Sequence, residues 1–201
     1  MARTGRPRGF DPADALERAR GIFWASGYGG TSIQDLVDGL AVERGSLYAT
    51  FGDKRQLYLE AVKSYWADYE RALEPALATI PLLPALRELL VMPAQLGAAA
   101  ADPQAPHGCM MGNTAAELVP QDDEATAIVR ESFARFVRMM ADALRAAQHR
   151  GEVTTASAPE AQAQLLLVVA EGTSLLARAG TDPAAATAAI DVALEGLRQA
   201  P

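Results

Sequence analysis

Residues 31 to 58 read Thr-Ser-Ile-Gln-Asp-Leu-Val-Asp-Gly-Leu-Ala-Val-Glu-Arg-Gly-Ser-Leu-Tyr-Ala-Thr-Phe-Gly-Asp-Lys-Arg-Gln-Leu-Tyr, two short helices, a tight turn and the capped start of a third. Thr31 is expected to cap the first helix, with Gln34 three residues on to complete a capping box. Ile33, Leu36, Val37 and Leu40 follow at i, i+3, i+4 and i+7, one apolar stripe that must pack inward. The segment from Glu43 to Thr50 is too short to be stable alone. It offers Val42, Leu47 and Phe51 to a core and leaves Arg44, Gly45, Ser46, Tyr48 and Thr50 outward. Gly52 can close that helix, and Asp53 with Gln56 forms a second capping box. Lys54 then sits in a first turn, where free N–H groups and the positive dipole end favour a phosphate. This is the layout of a helix-turn-helix, whose short second helix is presented to a DNA major groove.

Charge is distributed to suit that reading. The chain carries a formal charge of −7 over 201 residues, which by itself argues against a general nucleic-acid coat. Residues 1 to 66 hold nine Lys or Arg against eight Asp or Glu, so the acidic excess of −8 lies in the remainder. Arg3, Arg6 and Arg8 form a basic arm before the first helix. Its Gly5-Arg6-Pro7 resembles the core of a minor-groove AT-hook, in which Arg enters the narrow groove of A·T-rich DNA.

Length and composition fit an all-helical chain in two parts. At 21.2 kDa and half apolar, with abundant Ala, it can bury one substantial core or two small ones. The expected divisions are a flexible basic arm over 1–10, a helix-turn-helix head over 11–57, and a larger helical body over 58–201. Asp11, Pro12 and Asp14 open the first helix, which is expected to run to Gly27. A long helix is expected over 53–78. Pro75, Pro81, Pro84 and Pro93 predict a break or kink beyond it. A loop from Asp102 to Pro106, a short helix near 107–118 and a long amphipathic helix from Asp122 to Arg150 follow. Helices at 159–179 and 183–198 complete the chain, the first too apolar around its circumference for a simple surface helix. No apolar run is long enough to span a bilayer and no secretory segment is present at the N-terminus, so a cytoplasmic location without a membrane partner is expected.

The run Gly-Tyr-Gly-Gly-Thr-Ser-Ile at 27–33 and Ser-Leu-Tyr-Ala-Thr-Phe-Gly-Asp-Lys at 46–54 resembles the DNA-binding domain of the TetR/AcrR family of transcriptional repressors. The likeness extends upstream through Gly-Arg-Pro-Arg-Gly-Phe-Asp at 5–11. It implies a three-helix DNA-binding head and a divergent helical domain that binds an effector and dimerises. It further implies double-stranded, palindromic operator DNA as partner, contacted by Arg6, Arg8, Thr31, Ser32, Arg44, Gly45, Ser46, Tyr48, Thr50 and Lys54. Homodimerisation through the helices near 159–179 and 183–198 is implied as well, although residue pattern alone equally suits an ordinary buried pair. Two positions depart from the family pattern. Ala41 stands where the turn usually has Gly, so a positive φ there would be strained, and Glu43 replaces the usual Ser or Asn cap.

Candidate effector contacts are a pool of adaptable apolar and polar residues: Trp66, Tyr69, Met92, Cys109, Met110, Asn113, Phe133, Phe136 and Met140, with Met111, Met139 and Glu117 beside them. Cys109 is the sole cysteine, which excludes an intramolecular disulfide. Its place near a predicted helix N-terminus, two residues from His107, leaves two readings open, a packing residue or a reactive thiol that senses oxidants or electrophiles. His107 and His149 make no metal-ligand spacing with it, and no metal or cofactor is expected. An enzyme is not expected either, because nothing organises chemistry around the thiol. A helical protein-interaction module would leave the arginine arm and the Arg-Gly-Ser segment unexplained. The reading that accounts for these features is a homodimeric repressor released from its operator by a small molecule.

Overall fold

The computed structural model describes residues 10–99 and 108–199. Among them nine helices are formed, in the order α1 (Pro12–Gly30), α2 (Ile33–Leu40), α3 (Arg44–Phe51), α4 (Lys54–Leu77), α5 (Leu82–Ala99), α6 (Met110–Leu118), α7 (Asp123–His149), α8 (Pro159–Arg178) and α9 (Pro183–Glu195). The basic arm, the 102–106 loop and His107 lie outside the described residues.

Local chemistry sets the helix ends. Asp11 caps α1 by accepting from the Ala13 amide at 2.7 Å, with Pro12 in the first turn. The helix continues past Gly27 to Gly30, across a kink in which Gly27 takes φ 76°. A side chain there would be doubly penalised, since a Cβ would also lie 2.5 Å from Glu117 Oε1. The expected cap of α2 is shifted by one residue. Ser32 is the N-cap, and it shares a capping box with Asp35. Thr31 is 1 % exposed and its hydroxyl donates to the Gly27 carbonyl at 2.7 Å. Asp53 and Gln56 form the expected capping box of α4, and Asp182 with Pro183 opens α9.

The head is a three-helix unit around Phe23, Leu36, Leu40, Leu47, Phe51, Leu57 and Tyr58, all buried. Removing each Leu or Phe from water contributes roughly 1.5–3 kcal/mol, which is what holds an eight-residue α3 in place. Pro75 lies in the last turn of α4 and does not end it there. The break falls between Leu77 and Leu82, and α5 runs through Pro93. In the body α7 packs on α8, and α5 packs on α8 and α9. The segment after α9 is tied back: the Thr154 amide donates to the Leu197 carbonyl at 2.9 Å, and the Gln199 amide donates to the Glu152 carbonyl at 3.2 Å. No helix among the described residues is long and apolar enough to cross a membrane.

Candidate nucleic-acid interface and its coupling to the helical body

The turn between α2 and α3 rests on a left-handed residue. Ala41 takes φ 55° and ψ 43°, while its amide bonds back to the Asp38 and Val37 carbonyls. Val42 then turns inward and Glu43 starts α3 without a side-chain cap bond. The resulting surface presents Arg44 and Gly45 fully, Tyr48 at 42 % exposure, and Ser46 and Thr50 partly. Arg44 donates to Gln34 Oε1 on α2 at 3.1 Å, an exposed bond that a base edge can replace. A Cβ on Gly45 would touch nothing, so the glycine keeps the surface low without being required by its own fold. Ser32 stands exposed at the start of α2.

Two expected DNA contacts have other tasks in this geometry. Thr31 belongs to the interior of the head and not to its DNA-facing surface, because the kink at Gly27 turns its hydroxyl onto the Gly27 carbonyl. The Lys54 ammonium donates to the Tyr28 and Thr31 carbonyls, each at 2.9 Å, and lies 4.2 Å from the Tyr28 ring centroid. It thus closes the orphaned carbonyls at the end of α1.

Behind the interface, α6 and the start of α7 are bonded directly to the head. The Gly29 amide donates to Glu117 Oε2 at 2.8 Å, and Trp24 Nε1 donates to the Gly108 carbonyl at 3.0 Å. Tyr58 and Thr114 share a buried hydroxyl bond of 2.9 Å. Arg55 forks onto Asp122 at 2.5 and 2.7 Å and reaches Glu124 at 3.3 Å. That guanidinium, together with the Ala125 amide, holds the Asp122 carboxyl down at about 2. Any displacement of α6 therefore acts on α1 and α4 through polar bonds as well as packing.

The effector pool divides. Trp66, Met110, Phe136 and Met140 are buried, and Tyr69, Cys109, Asn113 and Phe133 are partly so. Tyr69 stacks with Tyr65 and Phe136 at 6.4 Å each and lies 5.3 Å from Trp66. Met92 on α5 is 44 % exposed, unlike the rest of the pool. Glu117 serves the head contact. Glu171 on α8 is the residue that sequence reasoning missed. It reaches Cys109, and its isolation within a nearly uncharged helix was the available signal.

Cys109 does cap the N-terminal end of α6, yet its thiol is pushed up to about 12. Burial is the main cause and the Glu171 charge adds to it, outweighing the Gly112 amide and the Tyr65 hydroxyl, which favour the thiolate. A reactive sensor thiol needs the opposite shift, so thiol sensing is not favoured. Among the described residues no His, Cys, Asp or Glu cluster could hold a metal.

Known proteins share this arrangement. Residues 15–61 match the profile of bacterial regulatory proteins of the tetR family, and residues 85–193 match the tetracyclin repressor-like C-terminal domain. The helix-turn-helix-type transcriptional regulator YezE of Bacillus subtilis is 41 % identical over 122 residues, which is 60 % of this chain and 61 % of YezE. The transcriptional repressor ComR of Escherichia coli is 29 % identical over 187 residues, covering 88 % of this chain and 83 % of ComR. A solved structure of a cysteine mutant of the TetR family regulator CifR, in complex with 26-bp double-strand operator DNA, superposes with a TM-score of 0.81 at 26 % identity, covering 96 % of this chain and 100 % of that one. These relatives are transcriptional regulators and not enzymes. With the C-terminal profile alone spanning more than half of its length, the chain belongs to the TetR family of DNA-binding transcriptional regulators.

Proposed function

We propose that this regulator is a homodimeric repressor that occupies a palindromic operator through paired α3 helices and leaves it when a small molecule binds the helical body. The observation that carries the reading is the chain of polar bonds from α6 and α7 into the head, because it gives the body a direct hold on recognition-helix position. Repression is the role printed for ComR. We divide the chain into an arm over 1–10, a head over 11–57 and a body over 58–201. Arg44 and Ser46, with Thr50, read base edges. Gly45 lets the backbone approach, Tyr48 and Ser32 bond to phosphates, and Arg6 and Arg8 follow the adjacent minor groove.

Dimerisation rests on one apolar face. On α8, Leu165, Val168, Gly172, Leu175 and Leu176 are exposed at helical spacing; on α9, Ala185, Ala188, Ala189 and Val192 are exposed likewise. The two helices pack side by side, so their free faces can join a second copy as a four-helix bundle. An effector that prefers a different α4 and α6 setting moves the heads off a spacing of roughly 34–36 Å, one DNA turn or a multiple of it. Selection of bound fragments from genomic DNA, followed by mobility shifts with a metabolite panel, tests this. The expected result is a two-fold sequence bound by a dimer and released by at least one compound. Recovery of sequences without two-fold symmetry would refute the paired-head reading.

A further inference from the structure

Glu171 carries a carboxyl into the protein from the middle of α8, where its neighbours are apolar or small. Its interaction partner is the neutral Cys109 thiol, and no Lys, Arg or His among the described residues pairs with it. Arg178, two turns further along α8, donates to the Trp24 carbonyl at 3.5 Å. The carboxylate approaches α6 so closely that a Cβ on Gly112 would lie 2.3 Å from Glu171 Oε2, a space that the glycine keeps open. Tyr65 donates to Cys109 Sγ at 3.6 Å. Burial raises the Tyr69 phenol pKa, with the nearby Cys109 and Glu171 adding to the shift, yet its hydroxyl has no hydrogen-bond partner among the described residues. Both tyrosines belong to a continuous run of rings. Trp24 meets Tyr65 edge-on at 4.9 Å, Tyr65 stacks with Tyr69, and Tyr69 touches Trp66 and Phe136.

An uncompensated carboxylate, an idle phenol hydroxyl and aromatic π faces form an environment that selects by charge. An anion would meet Glu171 with no cation among the described residues to offset it. A neutral ligand would leave the carboxylate uncompensated. An ammonium neutralises the carboxylate, donates to it, and is attracted by the ring faces. We propose that the effector is a monocationic amine whose ammonium sits between Glu171 and Tyr69 and whose apolar part lies along the Trp66, Tyr69 and Phe136 rings. This rests on the ligand-release reading above and names the chemistry of that ligand. The residues come from α1, α4, α7, α8 and the N-cap of α6, so a ligand here draws directly on the two helices that hold the head.

The chain's two tryptophans, Trp24 and Trp66, both border this cluster, so intrinsic fluorescence reports on it without a label. The test titrates the whole 201-residue chain with an amine series from butylamine to phenethylamine, beside 2-phenylethanol and phenylacetate, which keep the aromatic tail and change only the head group. A saturable fluorescence change with amines alone is expected. Affinity should be weaker by about tenfold or more in Glu171→Gln, with the preference for amines kept in Glu171→Asp. Thermal melts run in parallel separate loss of binding from loss of fold, and Tyr69→Phe supplies a second variant, expected to bind several-fold more weakly. Absence of binding by every amine, equal binding of the alcohol or the acid, or an unchanged affinity in Glu171→Gln would overturn the proposal. Mobility shifts on the same samples keep the two readings apart. Amine binding without operator release sinks ligand-released repression and leaves the amine site standing, whereas release by neutral or anionic compounds alone does the reverse.

Discussion

Ala41 holds the turn between α2 and α3 at φ 55°, a conformation that costs an L-residue roughly 1–2 kcal/mol, offset in part by the lower entropy that Ala has relative to Gly in the unfolded chain. Ala41→Gly is therefore expected to stabilise the head by up to about 1 kcal/mol in urea unfolding, with operator affinity unchanged; destabilisation would show that the Ala methyl packs usefully. Lys54 poses a sharper question. Its ammonium spends two protons on the Tyr28 and Thr31 carbonyls, so Lys54→Ala is expected to cost about 1–3 kcal/mol of stability. It should lower affinity for all DNA sequences alike, with little change in salt dependence. A salt slope shallower by about one unit at unchanged stability would place the ammonium on a phosphate instead. At this scale the sequence was legible where a residue's role is local. The strain at Ala41, the missing cap at Glu43 and the Asp53–Gln56 box all follow from neighbours within four positions. It was not legible where the partner is distant. The sequence pattern points to Thr31 as the cap of α2, and the kink at Gly27, beside Glu117 of α6, turns Thr31 inward and leaves the cap to Ser32.

Among elements, α6 has the most consequences for its length, and the thiol at its start tests what its environment does. A helix N-terminus lowers a thiol pKa, and that effect alone predicts a reactive Cys109. Burial and the Glu171 carboxyl, both supplied by tertiary packing, reverse the sign and raise it to about 12. Intact-mass labelling of the sole cysteine should accordingly be slow in the folded protein, and Cys109→Ser should bind operator nearly normally; rapid labelling coupled to release would restore the sensor reading. The shift also has a linkage consequence. The folded-state pKa lies above the ordinary 9.0, so the stabilisation is complete below pH 9 and is lost as pH rises from 9 toward 12, while the unfolded chain ionises first. Between pH 9 and 10, before the tyrosines with raised pKa values join, unfolding free energy should fall by about 1 kcal/mol more in the native protein than in Cys109→Ser. Equal alkaline slopes for the two would show that the thiol is solvated. Helix existence was readable from period and caps, as α7, α8 and α9 began and ended within three residues of expectation. Proline was the poorer guide. Pro75 sits in the final turn of α4 and Pro93 within α5, because packing on both helices outweighs a missing amide donor.

For the whole molecule, an acidic body and a near-neutral head mean that DNA affinity depends on geometry more than on bulk charge. One head offers the eight-residue α3, a small surface for tight selective binding, and the proposed pairing of two heads would supply a second. The proposed dimer would bury the apolar face of α8 and α9, where Val168 is 61 % exposed, Leu175 66 % and Val192 75 %. The small residues Gly172, Ala185, Ala188 and Ala189 between them allow two helix pairs to approach closely. From the sequence, the apolar circumference of residues 159–179 was equally consistent with a fully buried helix; the described side chains resolve it into one face against α7 and another left bare. Introducing like charges at the centre of this face should separate the subunits without disturbing either core. Val168→Glu with Leu175→Glu is expected to convert a particle of about twice the 21.2 kDa chain mass into a monomer by analytical ultracentrifugation. Helical circular dichroism should be retained, and operator affinity should fall by at least about a hundredfold, because each half-site must then be bound independently at the lost effective concentration. A variant that still sediments as a dimer would place the interface elsewhere, and a monomer with native operator affinity would show that one head suffices.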